Sequence, residues 1–292
     1  MNVLPEYMAP ERGRLSDTMV AAFDDAGVII LRGFASQEAC KKLQTRTAEL
    51  VDAFEPQRDH SVFSTTSNAQ LIDDYFIGSG GDIRFFFEED AFDAAGALKR
   101  SKIDSLNKLG HAMHDLDPVF DQFSRNPALA EIAARLGFKA PAIVQSMYIF
   151  KPPGVGGEVV CHQDSTYLYT EPESCVGFWF AIDDADLENG CMHFIPGGHK
   201  GPLRRLNGRK ADGKLATTIL DETPFPENLA EPACAKTGDL VIFHGRAPHL
   251  SAANKSSRPR HAYTLHIVDG ACVWPETNWL QRPRQLPFRG FD

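Results

Sequence analysis

From residue 142 onward, short apolar segments alternate with tight turns and no helical pattern separates them. That constrains the fold more than any other feature of the chain. Residues 143–150, 159–164, 176–182, 191–195, 240–244 and 261–268 each have strand length and are rich in β-branched or aromatic side chains. The last of these alternates clearly, with Tyr263, Leu265 and Ile267 on one side and Thr264 and His266 on the other. Turn signals fall between them at 154–157, at Pro196-Gly197-Gly198-His199 and at Gly238-Asp239. Asn189-Gly190 favours a two-residue type I′ turn, which predicts a hairpin of 176–182 with 191–195. Many short strands at this spacing predict a β-sandwich or jelly roll.

The first 140 residues are mixed and mainly helical. Periodicity predicts a helix over 15–26 stopped by Gly27, a buried strand over 28–31, and a helix capped by Ser36. Residues 82–88 are predicted to be extended and 103–113 helical. Asp117-Pro118 and Asn126-Pro127 each predict an N-cap followed by Pro at the first helical position, with Gly137 closing the second helix. Residues 200–235, rich in Gly, Pro and charge, predict a long irregular insertion placed to cover a strand-borne site. There is no repeat and no linker composition. One domain over 1–292 is expected, a helix-rich layer (about 1–140) supporting a jelly-roll core (about 141–292).

With 43% apolar and 24% charged residues the chain can bury a full core. Its net charge of −9, without a dense basic run, argues against nucleic acid or an anionic membrane as main partner and leaves a small molecule. The six cysteines are scattered without C-x-x-C spacing, no secretory or membrane-spanning segment is visible, and the carboxyl end is not S-K-L. A cytoplasmic monomer is the expectation.

Within the strand-rich half lies His162-Gln163-Asp164, with His249 and Arg260 downstream. A strand places residues i and i+2 on one side, so His162 and Asp164 can converge. Two imidazoles and a carboxylate occupy one face of an octahedral ion and leave three positions open, which suits non-haem Fe(II) holding an organic co-substrate and O2. A 2-oxo acid would fill two of those positions, and its far carboxylate needs a cation; the planar fork of a guanidinium matches it. Arg258 and Arg260 both qualify, and Pro259 between them marks an edge or a strand start, so periodicity does not choose.

Taken singly, each residue has a plainer explanation. His249 follows Pro248 in a polar segment, where a lone histidine is usually solvated. His244 suits a satisfied core position and His199 a turn; His111 and His114 would share a helical face in a structural role. Trp179 would be core, and Lys108 a solvated helix residue. It is the set that raises the signal.

Longer stretches carry more. Gly81-Asp82-Ile83-Arg84-Phe85-Phe86-Phe87-Glu88, Asn107-Lys108-Leu109-Gly110-His111-Ala112, Gln145-Ser146-Met147-Tyr148-Ile149-Phe150, Tyr169-Thr170-Glu171-Pro172, Glu188-Asn189-Gly190-Cys191 and Asn278-Trp279-Leu280 resemble the phytanoyl-CoA dioxygenase family of Fe(II)/2-oxoglutarate oxygenases. The resemblance covers most of the chain from about residue 20. It implies a double-stranded β-helix, with His162, Asp164 and His249 as iron ligands and Arg260 rather than Arg258 on the far carboxylate of 2-oxoglutarate. It also implies that Lys108, Met147, Gln163, Trp179 and Ser251 line the co-substrate site. The implied activity is oxidative decarboxylation of 2-oxoglutarate to succinate and CO2 with hydroxylation of a small acyl, lipid or metabolite substrate. Tyr148, Phe150, Phe178 and Phe180 would supply an apolar wall, half of them facing it.

Two rivals keep much of this. A non-catalytic cupin-like metal- or ligand-binding protein needs neither a facial triad nor a paired arginine. A zinc hydrolase can use His/Asp/His but leaves the arginine unemployed and lacks an evident general base.

Overall fold

The computed structural model describes residues 4–56, 61–64 and 73–292. Its strands are β1 (Glu6–Met8), β2 (Val28–Arg32), β3 (Ser61–Val62), β4 (Ile83–Phe87), β5 (Leu106–His111), β6 (Pro141–Ile149), β7 (Val159–His162) and β8 (Val176–Ala181). They continue with β9 (Met192–Phe194), β10 (Arg205–Arg209), β11 (Leu215–Ile219), β12 (Glu231–Ala233), β13 (Leu240–His244), β14 (His249–Ser251) and β15 (Ala262–Asp269). Nine form a large sheet in the order β1-β2-β13-β8-β15-β6-β5-β4-β3, and four form a smaller sheet, β12-β9-β14-β7.

The large sheet is covered on both faces, which is why its central strands are apolar on both sides. On one face, Ile29, Phe178, Tyr263 and Leu265 pack under the helices Asp17–Ala26 and Gln37–Ala53 through Phe23, Cys40, Leu43 and Val51. On the other, Trp179, Val241 and Phe243 meet Met192, Phe194 and Ala233 of the smaller sheet. This is the jelly roll with a helix-rich supporting layer that the strand spacing implied. Local signals place the helix ends: the hydroxyls of Ser16 and Ser36 accept from Met19 N and Ala39 N, and the side chains of Asp117 and Asn126 cap their Pro-led helices.

Four expectations need correction. Residues 103–113 do not form a helix: a single turn, Lys102–Ser105, leads into β5, so Lys108 lies on a strand. β8 and β9 do not form a hairpin; β8 pairs with β13 and β15 in the large sheet, and β9 with β12 and β14 in the small one. Asn189 instead caps the loop between the sheets, accepting from Asp186 N and donating to Asp184 O. The stretch 200–235 is not irregular but holds the antiparallel pair β10–β11 and strand β12. Finally, Tyr148, Phe150, Phe178 and Phe180 all face the helical layer.

The Gly238-Asp239 turn that starts β13 depends on its glycine. Gly238 has φ +95°, and a Cβ there would stand 2.2 Å from Ala35 O, whereas Gly137, at φ +91°, has open space around it. Gly238→Ala is expected to lower stability by roughly 2–4 kcal/mol, combining the left-handed penalty with the clash, and Gly137→Ala by about 1–2 kcal/mol. Urea unfolding midpoints of the two variants check the ranking.

Candidate metal centre

His162 and His249 face each other as a cross-strand pair on β7 and β14, with ring centroids 4.2 Å apart. The chain stays extended through Gln163 (φ −120°, ψ 132°) before a 3-10 turn, Asp164–Thr166, begins. The i, i+2 relation therefore holds although Asp164 itself lies past the strand. Oδ1 of Asp164 lies 3.4 Å from His162 Nε2 and 3.7 Å from His249 Nε2. These three are the group among the described residues whose ligand atoms could hold one metal ion. His249, expected in a loop, gains its place from pairing on both sides, with His162 and with Phe194.

The tautomers suit the task. His162 Nδ1 lies 2.9 Å from Val160 O and His249 Nδ1 lies 3.0 Å from Ala247 O. A carbonyl can only accept, so each Nδ1 carries hydrogen and each Nε2 is turned to the centre, where loss of any proton it carries frees a lone pair for a metal. Burial pushes His249 down to about 4. For His162 burial opposes the charge, but the Asp164 hydrogen bond and charge raise it on balance. Burial likewise opposes ionisation of Asp164, yet the charges of His266 and His249 and hydrogen bonds from His162 and His266 hold it well below the usual range. His266 Nε2 lies 2.8 Å from Asp164 Oδ2, a contact to which the sequence pattern assigned no role. Strand alternation put His266 on this face, but nothing local pointed to its partner.

The triad opens into a cavity of about 480 Å³ between the sheets. Met147, Thr264 and Trp179 lie in register on β6, β15 and β8 and form a row along its floor. At one end the buried Arg260 guanidinium lies 5.5 Å from the Trp179 ring centroid, donating Nε to Gly190 O and Nη2 to Ser251 Oγ. Burial lowers Arg260 to about 10, still charged at neutral pH, and among the described residues neither its buried Nη1 nor Thr264 Oγ1 has a hydrogen-bond partner. Arg258 is exposed and paired with Asp186 and Glu188 at 2.7 and 3.2 Å. On the far side of the cavity, Lys108 is 6% exposed with Nζ 3.2 Å from the Phe63 ring centroid, and burial lowers it to about 7.

Not every candidate faces the cavity with a free side chain. Gln163 spends its carboxamide donating to Pro202 O and Arg246 O and accepting from Arg204 N, which ties the roof to the triad. The roof comes from the stretch expected to cover the site: Arg205, Asn207, Leu215 and Thr217 of β10–β11 line the cavity. His111 ends β5, also against the cavity, and His114 is buried beside Asp115 and Ser146; they do not share a helical face. His244 and His199 lie away from the triad, their ring centroids 5.2 Å apart and the rings tilted at 44°. Trp279, recognised only within a motif, also lines the site.

The sequence model of the phytanoyl-CoA dioxygenase family matches residues 23–262. The chain belongs to this family. It is 46% identical to phytanoyl-CoA dioxygenase 1 of Oryza sativa subsp. japonica over 276 residues, 94% of this chain and 96% of that protein. It is 43% identical to phytanoyl-CoA dioxygenase domain-containing protein 1 of Danio rerio, over 94% of this chain and 97% of that one. Among solved structures, EctD from S. alaskensis in its apoform has a TM-score of 0.63 at 18% identity, covering 99% of this chain and 89% of that chain. The carbocyclase SnoK from nogalamycin biosynthesis also scores 0.63, at 16% identity over 95% and 98%. These two share the fold. Family membership and the His/Asp/His triad together make the chain an enzyme of the non-haem iron, 2-oxoglutarate-dependent dioxygenase class.

The donor set fits iron: two neutral imidazole nitrogens, one carboxylate oxygen and a cavity on the open side. The buried, unpartnered Arg260 Nη1 likewise fits a carboxylate. Asp164→Ala is expected to abolish saturable Fe(II) binding in anaerobic titration, while the metal-free variant keeps the parent circular dichroism spectrum.

Proposed function

We propose that this chain couples oxidative decarboxylation of 2-oxoglutarate to succinate and CO2 with hydroxylation of a small acyl, lipid or metabolite substrate inside the cavity. The observation that carries it is the juxtaposition of the His162/Asp164/His249 triangle with a buried, half-satisfied Arg260 across one apolar floor. A structure of EctD is described with 2-oxoglutarate and 5-hydroxyectoine and another with bound Fe, which supports the same pairing of groups on this fold. Because the large sheet takes strands from both halves of the sequence, we treat the chain as one domain.

In this assignment His162, Asp164 and His249 hold iron, which with O2 supplies the oxidising chemistry when bound. Arg260 takes the far carboxylate of 2-oxoglutarate, steered by Gly190 O and by Ser251, whose hydroxyl also donates to Gly190 O at 2.8 Å. Met147 and Trp179 flank the carbon chain and exclude water; Lys108 contributes a cation from the opposite wall. Gln163 acts through the roof, by fixing the segment that carries Arg204. The chemistry depends on the cofactors, and the protein supplies placement and a sheltered volume. The cavity size is that of small-molecule sites, and no helix among the described residues is long and apolar enough to cross a membrane.

The test is succinate formation by purified protein reconstituted anaerobically with Fe(II) and 2-oxoglutarate, then exposed to O2. Iron-dependent succinate is expected even without added substrate; no binding of 2-oxoglutarate would overturn the assignment. Arg260→Ala is expected to weaken 2-oxoglutarate affinity by roughly 30-fold or more, the cost of removing a buried charged hydrogen-bond partner. Arg258→Ala should leave it unchanged within about twofold, as for an exposed ion pair. Equilibrium binding of 2-oxoglutarate to the two variants under anaerobic conditions checks the ranking.

A further inference from the structure

His266 is buried, on the cavity face of β15, in the strand that also carries Thr264. Its Nε2 is 2.8 Å from Oδ2 of Asp164, and its buried Nδ1 has no hydrogen-bond partner among the described residues. A carboxylate accepts, so Nε2 bears the hydrogen and that bond goes to a proposed metal ligand. A histidine serving only to fill a polar gap in the core would have both ring nitrogens satisfied.

Strand alternation on β15 turns the ring to the cavity face together with Thr264. The register against β6 shifts between His266 and Ile267, and the extra residue, Val144, lies on β6, so β15 itself keeps its alternation through His266. From the other sheet, the turn that holds Asp164 is fixed by Ser165 N donating to Gly245 O at 2.9 Å. The carboxylate is thus met from both sheets: Oδ1 lies in the triangle with the Nε2 atoms of His162 and His249, and Oδ2 is engaged by His266.

We propose that His266 is a positioning residue for the metal centre, its Nε2–H holding Oδ2 of Asp164 so that the carboxylate ligates through Oδ1 alone. The consequence is chemical. An unrestrained carboxylate can turn and ligate through both oxygens, occupying one of the three positions that a bidentate 2-oxo acid and O2 require. Holding Oδ2 also fixes the orientation of the ligand before the metal arrives, which lowers the reorganisation needed on binding. In this role His266 acts through Asp164.

This rests on the iron assignment made above, and the experiment separates the two. Anaerobic Fe(II) affinity is measured by competition with a chromophoric chelator for the parent protein, His266→Leu and His266→Gln, beside the unfolding temperature of each metal-free protein. If the parent protein does not bind Fe(II), the iron assignment itself falls. With parent binding established, His266→Leu is expected to bind Fe(II) about 10–100-fold more weakly. His266→Gln, which keeps an N–H donor, should recover most of that loss. Weak 2-oxoglutarate chelation in the iron-loaded Leu variant should accompany it, seen as a fainter visible charge-transfer band. Leu within twofold of the parent, or Gln as weak as Leu, would overturn the positioning role. If the Leu variant does not fold, His266→Glu replaces it. Glu puts an acceptor against Asp164, so equal iron affinity in Glu and Gln variants would overturn the proposal too.

Discussion

The cross-strand pairing of His249 with His162 is the contact on which the rest of the site depends. A triangle of ligands needs three side chains fixed within a few ångströms, and a single rung between β14 and β7 supplies two of them. The third follows because one extended residue, Gln163, separates His162 from Asp164. That residue is itself anchored, its carboxamide bound to Pro202, Arg204 and Arg246. The same three hydrogen bonds thus set the spacing of the triad and the start of the roof. Below, the His249 ring lies against Phe194 of its own sheet and Phe243 of the large one, centroids 5.4 and 4.9 Å away. Aromatic packing between the sheets therefore sets the height at which the ligands stand.

A carboxylate placed there must be neutralised, because burying an unpaired charge costs several kcal/mol. Asp164 meets this with the Nε2–H of His266 from β15, while the imidazoles of β7 and β14 stand against Oδ1, so the site ties the two sheets together before any ligand arrives. The helical layer has a different role. It covers the opposite face of the large sheet and keeps β8 and β15 buried on both sides, which holds Trp179, Thr264 and His266 in one row of rigid backbone. Sites built on such strands hold their geometry better than sites on loops.

Much of this was legible in the sequence because the signals were local. The alternation at 261–268 put Tyr263 and Leu265 on one side and Thr264 and His266 on the other; the first side packs in the core and the second lines the cavity. N-caps at Ser36, Asp117 and Asn126 were readable because capping involves residues two or three apart. What failed was long-range. Residues 103–113 have helical periodicity, but β4 and β6 offer ladders on both sides, and pairing there overrides the weak helical preference of Asn107-Lys108-Leu109-Gly110. Asn189-Gly190 has hairpin chemistry, yet β8 finds partners from residues 240–244 and 262–267 that a local reading does not see. The same limit kept periodicity from choosing between Arg258, which has Asp186 and Glu188 beside it, and Arg260, which has Gly190 and Ser251.

The electrostatics of the cavity favour a particular kind of ligand. Among the described residues neither Arg260 nor Lys108 makes an ion pair, although both are buried. Arg260 has a carbonyl and a hydroxyl, and Lys108 the faces of Phe63, Phe76 and Phe86. Aromatic faces offset part of the lost solvation of an ammonium, but less than a carboxylate does. Burial accordingly lowers both groups, and Lys108 far enough that its charge is marginal at neutral pH. An anion entering the cavity recovers what each cation lost, and the gain is larger for being realised in a low-dielectric space. A monocarboxylate satisfies one cation at most. A dicarboxylate spanning from the metal to Arg260 serves both the ion and the guanidinium. Under the proposed chemistry, the buried guanidinium therefore favours a 2-oxo dicarboxylate over a monocarboxylate by charge, and reach separates 2-oxoglutarate from a shorter dicarboxylate.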